Sequence, residues 1–549
     1  MVEPADMVLT NGTIFTVDSK NPRAEAIAIK NGIILKVGTS KEIRGFVGQE
    51  TKVINLKGEF VMPGFVEGHG HFSGLGKSLM NLNFMKAQNW QEIVSMVQER
   101  VKTAQPGEWI IGRGWHQEKW NQPLERQVLG YPYHDELSVI SPNNPVLLTH
   151  ASGHSLFANA KAMELAGVSR ETPNPLGGEV VRDSRGEAIG VFEETAMNII
   201  KSAHENWLST LSEEQKLKEW YKQIQLAEQN CLENGITSFQ DAGASFEEIE
   251  RYKKLAEQGE LDVRLWSMIS ASQDNLAVKA KAFPLIGVGN NFFTVRAIKA
   301  YMDGALGAFG AWLLAPYEDK PNFIGQNVTP ITEIKKIADI AIQQDLQLCT
   351  HAIGDRGNRM VLDIYEQIIK ENPNKIGIRW RIEHAQHLDK ADIPRFKELG
   401  VIASMQGVHC TSDAPYVVKR LGEARAKYGA YPWRSLIDAG AIVINGTDTP
   451  VEDISPIECF YASVTRRRAN PDMVFYPEQS MTRQEAIYSY TLTPAYAAFE
   501  ESIKGSLEIG KVADIVVLSN NLETCSEEEI LNTKVLMTIV NGKVKYEGK

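Results

Sequence analysis

Cysteine is scarce. Five occur in 549 residues, at positions 231, 349, 410, 459 and 525, and none belongs to a Cys-x-x-Cys pair. An odd, scattered set of this kind argues against a disulfide framework or a thiolate metal site and fits a reducing cytoplasm. Long apolar runs are missing as well: none approaches the roughly 18 residues of a membrane-spanning helix, so no membrane partner is expected. Positive charge is in deficit, with 58 Lys and Arg against 69 Asp and Glu and a formal net charge of −11. That balance argues against a nucleic-acid partner. The opening MVEPADMVLT carries acids and runs at once into an alternating strand, unlike a secretory signal. Hydrophobic residues at 43% and charged residues at 23% sit near the globular average, which excludes disorder and fibrous repeats.

At about 150 residues per domain the length allows three to four units, although an α/β barrel can take about 250 by itself. The first 60 residues read as short strands, with Asn11-Gly12 and Asn31-Gly32 falling between alternating apolar runs. Both pairs predict hairpins. The C-terminal end has the same character in GKVADIVVLS and in KVLMTIVNGKVKYEG, with its Asn541-Gly542. Neither end alone has enough strands to bury a core, so residues 1–60 and 500–549 are expected to form one composite β-sandwich. Residues 61–499 hold eight buried-strand signals, beginning at 61–72, 235–243, 261–270, 294–304, 346–355, 378–386, 400–409 and 441–451. Amphipathic helix patterns such as 331–344 separate most of them, which predicts an α/β fold, a (β/α)₈ TIM barrel. The long gap after strand one, within 72–230, is read as an inserted, partly folded subdomain over the active site, with helices at 90–104 and 196–208.

Ligand-type residues recur at the C-terminal ends of these strands, the face on which barrel enzymes build their sites. Strand one ends in His69-Gly70-His71, whose two imidazoles point to one side of an extended segment and can share an ion. Strand five ends at His351, strand six at Glu383-His384 and strand eight at Asp448. A lone residue of this kind is usually structural, but the recurrence at matching strand ends points to a metal site. Lys299 places a charge in the otherwise apolar fourth strand. Three readings stand for it: an outward salt bridge, a Schiff-base lysine, or a carbamylated lysine bridging two metals.

The segments PGFVEGHGH, IKAYMDGALG, THAIGDRGN, RIEHAQH, SMQGVH, GTDTPV and GSLEIGKVADIVVL, in this order, resemble the amidohydrolase superfamily. Within it they resemble the amidohydrolase-3 group, whose best-known activity is N-substituted formamide deformylation. The resemblance covers essentially the whole chain. It implies a barrel with a sandwich built from both termini, and a metal pair. His69, His71 and Asp448 would hold one metal, His351 and His384 the other, with carbamylated Lys299 bridging. Two zinc ions suit these donors best, with manganese, iron or cobalt as alternatives. The implied reaction is hydrolysis of a C–N bond in a small amide, formamide or cyclic amide by metal-activated hydroxide, with Asp448 as proton shuttle. Alternatives on the same barrel are an ester or lactone hydrolase, a deaminase, a decarboxylase, or a scaffold without catalysis.

His409, placed at the end of strand seven, has two readings, a hydrogen bond to the oxyanion or a structural role. The family's pattern has His154 reach in from the insertion. His116, His134 and His150 read as structural or surface residues. Trp115 and Trp120 read as core, with a substrate pocket as the alternative. Asp303 and Asp355 are expected to orient ligands, and Arg466-Arg467-Arg468 to lie on a solvated helix face. The sequence departs from the family at Gly407, where relatives carry Pro after Gln, and at Thr449, where they carry Trp before Pro. Both departures are expected beside the substrate. A homodimer is the default assembly.

Overall fold

The computed structural model describes residues 3–117, 120–151, 153–468 and 473–548. Contacts divide the chain into two compact units, Met1–Phe72 with Glu228–Lys549, and Ser73–Ala227. The first unit is organised by parallel strands Phe65–Gly70, Ile236–Ala244, Arg264–Ile269, Phe293–Tyr301, Gln347–Ala352, Arg381–His384, Ile402–Met405 and Val443–Asn445. Each pairs in parallel with the next in this order. The Asp448 amide then donates to the His69 carbonyl at 2.8 Å, bringing the last strand's exit against the first and the barrel close to closure. Nearly every residue of these strands is buried, which is why they read as continuous apolar runs rather than as alternating ones.

Helices follow the strands, as their periodicity predicts. Ile331–Gln343 buries Ile334, Ile337, Ala338, Ala341 and Ile342, one apolar stripe at helical spacing. Among the described residues no helix is long and apolar enough to cross a membrane.

The two ends of the chain meet in one sheet. Phe60–Pro63 pairs antiparallel with Ile515–Leu518, which continues to Val535–Val540 and Lys543–Glu547. A second sheet holds Ile33–Gly38, Ala26–Lys30, Met7–Thr10 and Lys52–Asn55. Side chains of both sheets share one core, including Leu9, Ile27, Ile34, Val61, Ile515 and Ile539. Asn31-Gly32 and Asn541-Gly542 are two-residue hairpin turns with positive φ at both positions, as type I′ geometry requires. Asn11-Gly12 is not a hairpin. It carries the chain from Met7–Thr10 in one sheet to Thr13–Phe15 in the other, and only Asn11 has positive φ. The dipeptide marks a turn in both cases, and its long-range partners decide which sheet the next strand joins.

The unit Ser73–Ala227 is more ordered than its sequence suggests. Beside the helices Trp90–Val101 and Met197–Thr210 it contains a six-stranded mixed sheet, in the order Gly178–Arg182, Ala188–Glu194, Ser155–Ala158, Val146–His150, Ile110–Trp115 and Leu82–Asn83. Trp115 is fully buried in its core, with Trp120 packed against the same cluster.

The basic run at 466–468 divides. Arg467 and Arg468 are exposed, but Arg466 is fully buried, contrary to the expectation of a solvated face. Arg466 ends the helix Pro456–Thr465 in a left-handed conformation. Its guanidinium donates to the carbonyls of Phe475 at 2.7 Å and Tyr431 at 2.8 Å, and lies 4.6 Å from the Trp433 ring centroid. Backbone acceptors and an aromatic face replace water there.

A buried ion pair joins the barrel to the terminal sheet. Arg264, at the start of the third strand, donates to Asp514 through Nε at 2.7 Å and Nη2 at 3.2 Å. Asp514 also accepts the Asn541 amide at 2.9 Å. Removing one partner of such a pair strands the other charge away from water, so Asp514→Ala is expected to cost about 3–5 kcal/mol of stability. Chemical denaturation followed by circular dichroism checks this; an unchanged midpoint refutes it.

Candidate functional site

The strand ends of the barrel bring His69, His71, Lys299, His351, His384 and Asp448 together with His409. His69 is fully buried on the first strand, and His71 lies just beyond its end with its side chain 35% exposed. The glycines around them answer to packing: a Cβ on Gly68 would sit 2.3 Å from the Asn445 carbonyl oxygen. Asp448 Oδ1 lies 3.6 Å from His69 Nε2 and 3.2 Å from His71 Nε2. Lys299 is buried on the fourth strand, its Nζ 3.5 Å from His69 Nε2, and forms no ion pair among the described residues. The His384 ring is 4.7 Å from that of His69 and 4.5 Å from that of His351, centroid to centroid.

His409 is placed differently from its sequence reading. The seventh strand ends at Met405, and His409 lies in the first turn of the helix Gly407–Leu421, its Nε2 3.8 Å from Asp448 Oδ2. His154 belongs to the unit Ser73–Ala227, where its exposed ring lies 3.1 Å from the Glu194 carboxylate. In that unit His150 Nε2 meets Gln117 at 3.1 Å and His134 Nδ1 meets Ser138 at 2.9 Å, both structural contacts. The His116 ring lies tilted against that of His150, with centroids 4.6 Å apart.

The electrostatics favour neutral His69, His351 and His384 rings and an ionised Asp448. Burial, then the Lys299 charge, lowers His69 to about 4 and His351 to about 3. Burial, then His351, holds His384 well below its usual value. Burial would raise the Asp448 carboxyl, but His71, His69, His384 and His409 together hold it well below the usual range. Burial likewise lowers Lys299. Neutral imidazole and ionised carboxylate are the forms that bind cations.

Hydrogen bonding shows which atoms remain for a ligand. His69 Nδ1 is engaged by the Glu383 carboxylate, and His384 Nδ1 faces Gln406 Oε1 at 2.8 Å. Both rings therefore turn their Nε2 lone pairs inward. Among the described residues, buried His351 Nε2 has no hydrogen-bond partner, and buried Asp448 Oδ1 has only the 3.2 Å approach of His71 Nε2. Buried polar atoms are rarely left so. Nitrogen and carboxylate donors converging in this way fit divalent cations of the zinc, manganese, iron or cobalt type.

Beneath the donors lies an element that the sequence reading did not assemble. Arg381 and Glu383, two residues apart on the sixth strand, are fully buried and paired at 2.6 Å and 3.0 Å. Arg381 also donates to Gln240 at 2.6 Å, the Gly68 carbonyl at 2.8 Å and Ser404 at 2.9 Å. Burial would raise the Glu383 carboxyl, but Arg381 and His69 keep it well below the usual range. The only sequence signal was two opposite charges on one face of an apolar strand.

Asp303 holds backbone, and its Oδ1 also lies 3.9 Å from His351 Nε2. It accepts the amides of Trp312 at 2.8 Å, Ile353 at 2.9 Å and Gly354 at 2.8 Å, so it fixes the segments after strands four and five. Burial raises its carboxyl to about 7 despite these donors. Asp355 similarly accepts the Leu314 amide at 2.8 Å. The two departures from the family pattern are also packing positions. A Cβ on Gly407 would lie 2.5 Å from Ser463 Oγ and 2.6 Å from the Cys459 carbonyl oxygen. Thr449 is buried, and its carbonyl accepts the His71 amide at 2.8 Å.

Known proteins share this architecture over nearly the full length. The family model described as "Amidohydrolase family" matches residues 52–546. Protein LONG AFTER FAR-RED 3 of Arabidopsis thaliana is 32% identical over 554 residues, covering 99% of this chain and 92% of that protein. N-substituted formamide deformylase of Arthrobacter pascens is 26% identical over 557 residues, covering 100% and 99%. The crystal structure of a metal-dependent hydrolase from Pyrococcus horikoshii superposes with a TM-score of 0.73 at 26% identity, covering 95% of this chain and 99% of that one.

Because Glu383 orients His69, Glu383→Gln is expected to weaken divalent-cation affinity by about 10–100-fold. Competition with a chromophoric chelator measures this; unchanged affinity would separate the pair from cation binding.

Proposed function

The chain belongs to the amidohydrolase family, and from that premise we propose a metal-dependent hydrolase that cleaves a C–N bond in a small amide, formamide or cyclic amide. The observation that carries this reading is the convergence of imidazole lone pairs from His69, His351 and His384 on the Asp448 carboxylate and Lys299 at one end of the barrel. The similarity to a formamide deformylase supports the choice of bond. We place the protein in the cytoplasm, as a homodimer, with the two terminal sheets forming one small sandwich apart from the chemistry.

His69, His71 and Asp448 would hold one cation, and His351 and His384 the other. Zinc suits these donors best. Bound cations supply the Lewis acidity that polarises a carbonyl and lowers the pKa of water from about 15.7 towards 7. Asp448 accepts the proton released by the attacking water and returns it to the leaving nitrogen, which departs as a neutral amine. Its backbone amide, bonded to the His69 carbonyl at 2.8 Å, holds it in position for both transfers. Lys299 would bridge as a carbamate, formed when its amine adds to carbon dioxide and loses one proton. The modification replaces a buried ammonium that forms no ion pair among the described residues by an anion matched to cations.

Removal of metal by a chelator is expected to abolish hydrolysis, and added zinc or manganese to restore it. A panel of N-formyl and N-acyl amines, hydantoin-like rings and aryl esters tests the bond. Cleavage of esters alone refutes the C–N reading, and a protein that neither binds metal nor turns over any substrate refutes the hydrolase itself. Asp448→Asn is expected to lower kcat by about 10²–10⁴-fold with cation still bound; full activity would remove its assigned role. Lys299→Ala should lose activity that short carboxylic acids partly restore, and intact-protein mass should show the added carboxylate in the parent. An unmodified lysine in active, metal-loaded protein would overturn the bridge.

A further inference from the structure

By distance alone His409 belongs with His384 and Asp448, whose ligand-capable atoms lie within 4.8 Å of one another. Hydrogen bonding separates the two histidines. Gln406 Nε2 donates to the Ser404 carbonyl at 3.2 Å, which turns Gln406 Oε1 towards His384 Nδ1 at 2.8 Å. An acceptor in that place requires hydrogen on Nδ1, so the His384 lone pair is on Nε2. Gln386 has the opposite arrangement, with its Nε2 amide 3.1 Å from His409 Nδ1. A donor in that place requires the Nδ1 lone pair, which leaves the hydrogen on His409 Nε2. That atom is buried, has no hydrogen-bond partner among the described residues and lies 3.8 Å from Asp448 Oδ2.

A protonated imidazole nitrogen cannot ligate a cation, but it can donate a hydrogen bond. We propose that Gln386 is a positioning residue that holds His409 in its Nε2–H tautomer, making His409 a hydrogen-bond donor to the substrate's carbonyl oxygen and not a metal ligand. Two glutamines thus give two neighbouring histidines, with ring centroids 6.0 Å apart and planes 21° apart, opposite functions. The positions are suited to this. Gln386 is buried, with its carbonyl accepting the Tyr431 amide at 2.6 Å, and His409 is fixed in the first turn of a helix. As negative charge develops on the carbonyl oxygen during attack, a preset donor strengthens its hydrogen bond without transferring its proton. The inference rests on the hydrolase reading for the donor's target. The tautomer rests on the orientation of the Gln386 amide towards His409 Nδ1.

The experiment is nitrogen-15 NMR of the full-length protein labelled at histidine, first without metal and then with zinc. The His409 and His384 signals are assigned by their loss in His409→Asn and His384→Asn. The expected result is hydrogen on Nε2 of His409 and on Nδ1 of His384, with the His409 tautomer reversed in the near-isosteric Gln386→Glu. Zinc stoichiometry should fall in His384→Asn and stay intact in His409→Asn and Gln386→Glu. In both of the latter kcat should fall by about 10²–10³-fold with KM little changed. Hydrogen on Nδ1 of His409, or loss of a zinc equivalent in His409→Asn, overturns the proposal. A parent protein that binds no zinc and hydrolyses nothing defeats the hydrolase reading instead, and the metal-free spectrum still decides the tautomer.

Discussion

The Arg381–Glu383 pair lies wholly inside the barrel, and the candidate site is built outward from it. Withdrawing two such ions from water costs several kcal/mol each, and the structure offsets this by saturating the guanidinium. Gln240 on the second strand, Gly68 on the first, Ser404 on the seventh and Glu383 on its own strand all accept from Arg381. One side chain therefore holds four of the eight strands in register around the axis. Glu383 then turns that rigidity into chemistry by fixing the His69 ring, and His69 sets the distances to Lys299 and Asp448.

Regular backbone ends where the donors begin. His384, Ala385 and Asp448 have φ of 76°, 43° and 58°, values that residues other than glycine seldom adopt. Such conformations persist when the surroundings over-determine them, and they gather at functional sites. Here the surroundings are specific. The Asp448 amide is held by the His69 carbonyl, and the preceding Thr447 is bonded through its amide at 2.6 Å and its hydroxyl at 3.1 Å to the buried Glu67. The donors are carried on turns braced from below, and so combine loop direction with the precision of strands.

The barrel was legible in the sequence because its strands are apolar on both faces and therefore form continuous runs. The donors were legible because a two-residue period places His69 and His71 together, and because strand ends in a barrel share one face. What escaped depends on partners distant in sequence. Asn11-Gly12 marks a turn, but the sheet that receives Thr13–Phe15 is chosen by Phe60–Pro63 and Arg23–Ala24. Arg466 reads as a surface charge until Tyr431 and Phe475 supply its acceptors. Gly407 reads only as a departure from the family pattern until the helix Pro456–Thr465 is seen to leave no room for a side chain there. The sheet within Ser73–Ala227 was hidden by short strands and long connections, which carry weak local signals.

The strand Phe60–Pro63 has its neighbour, Ile515–Leu518, some 450 residues later in the chain. As the polypeptide emerges from the ribosome N-terminus first, the early strands lie exposed with an unpaired edge while the whole barrel is made. Pairing becomes available only after Ile515–Leu518 has been made, so this edge is covered late. Non-local closure of this sort is slow, and the nascent chain depends in the interval on whatever shields that edge from other strands.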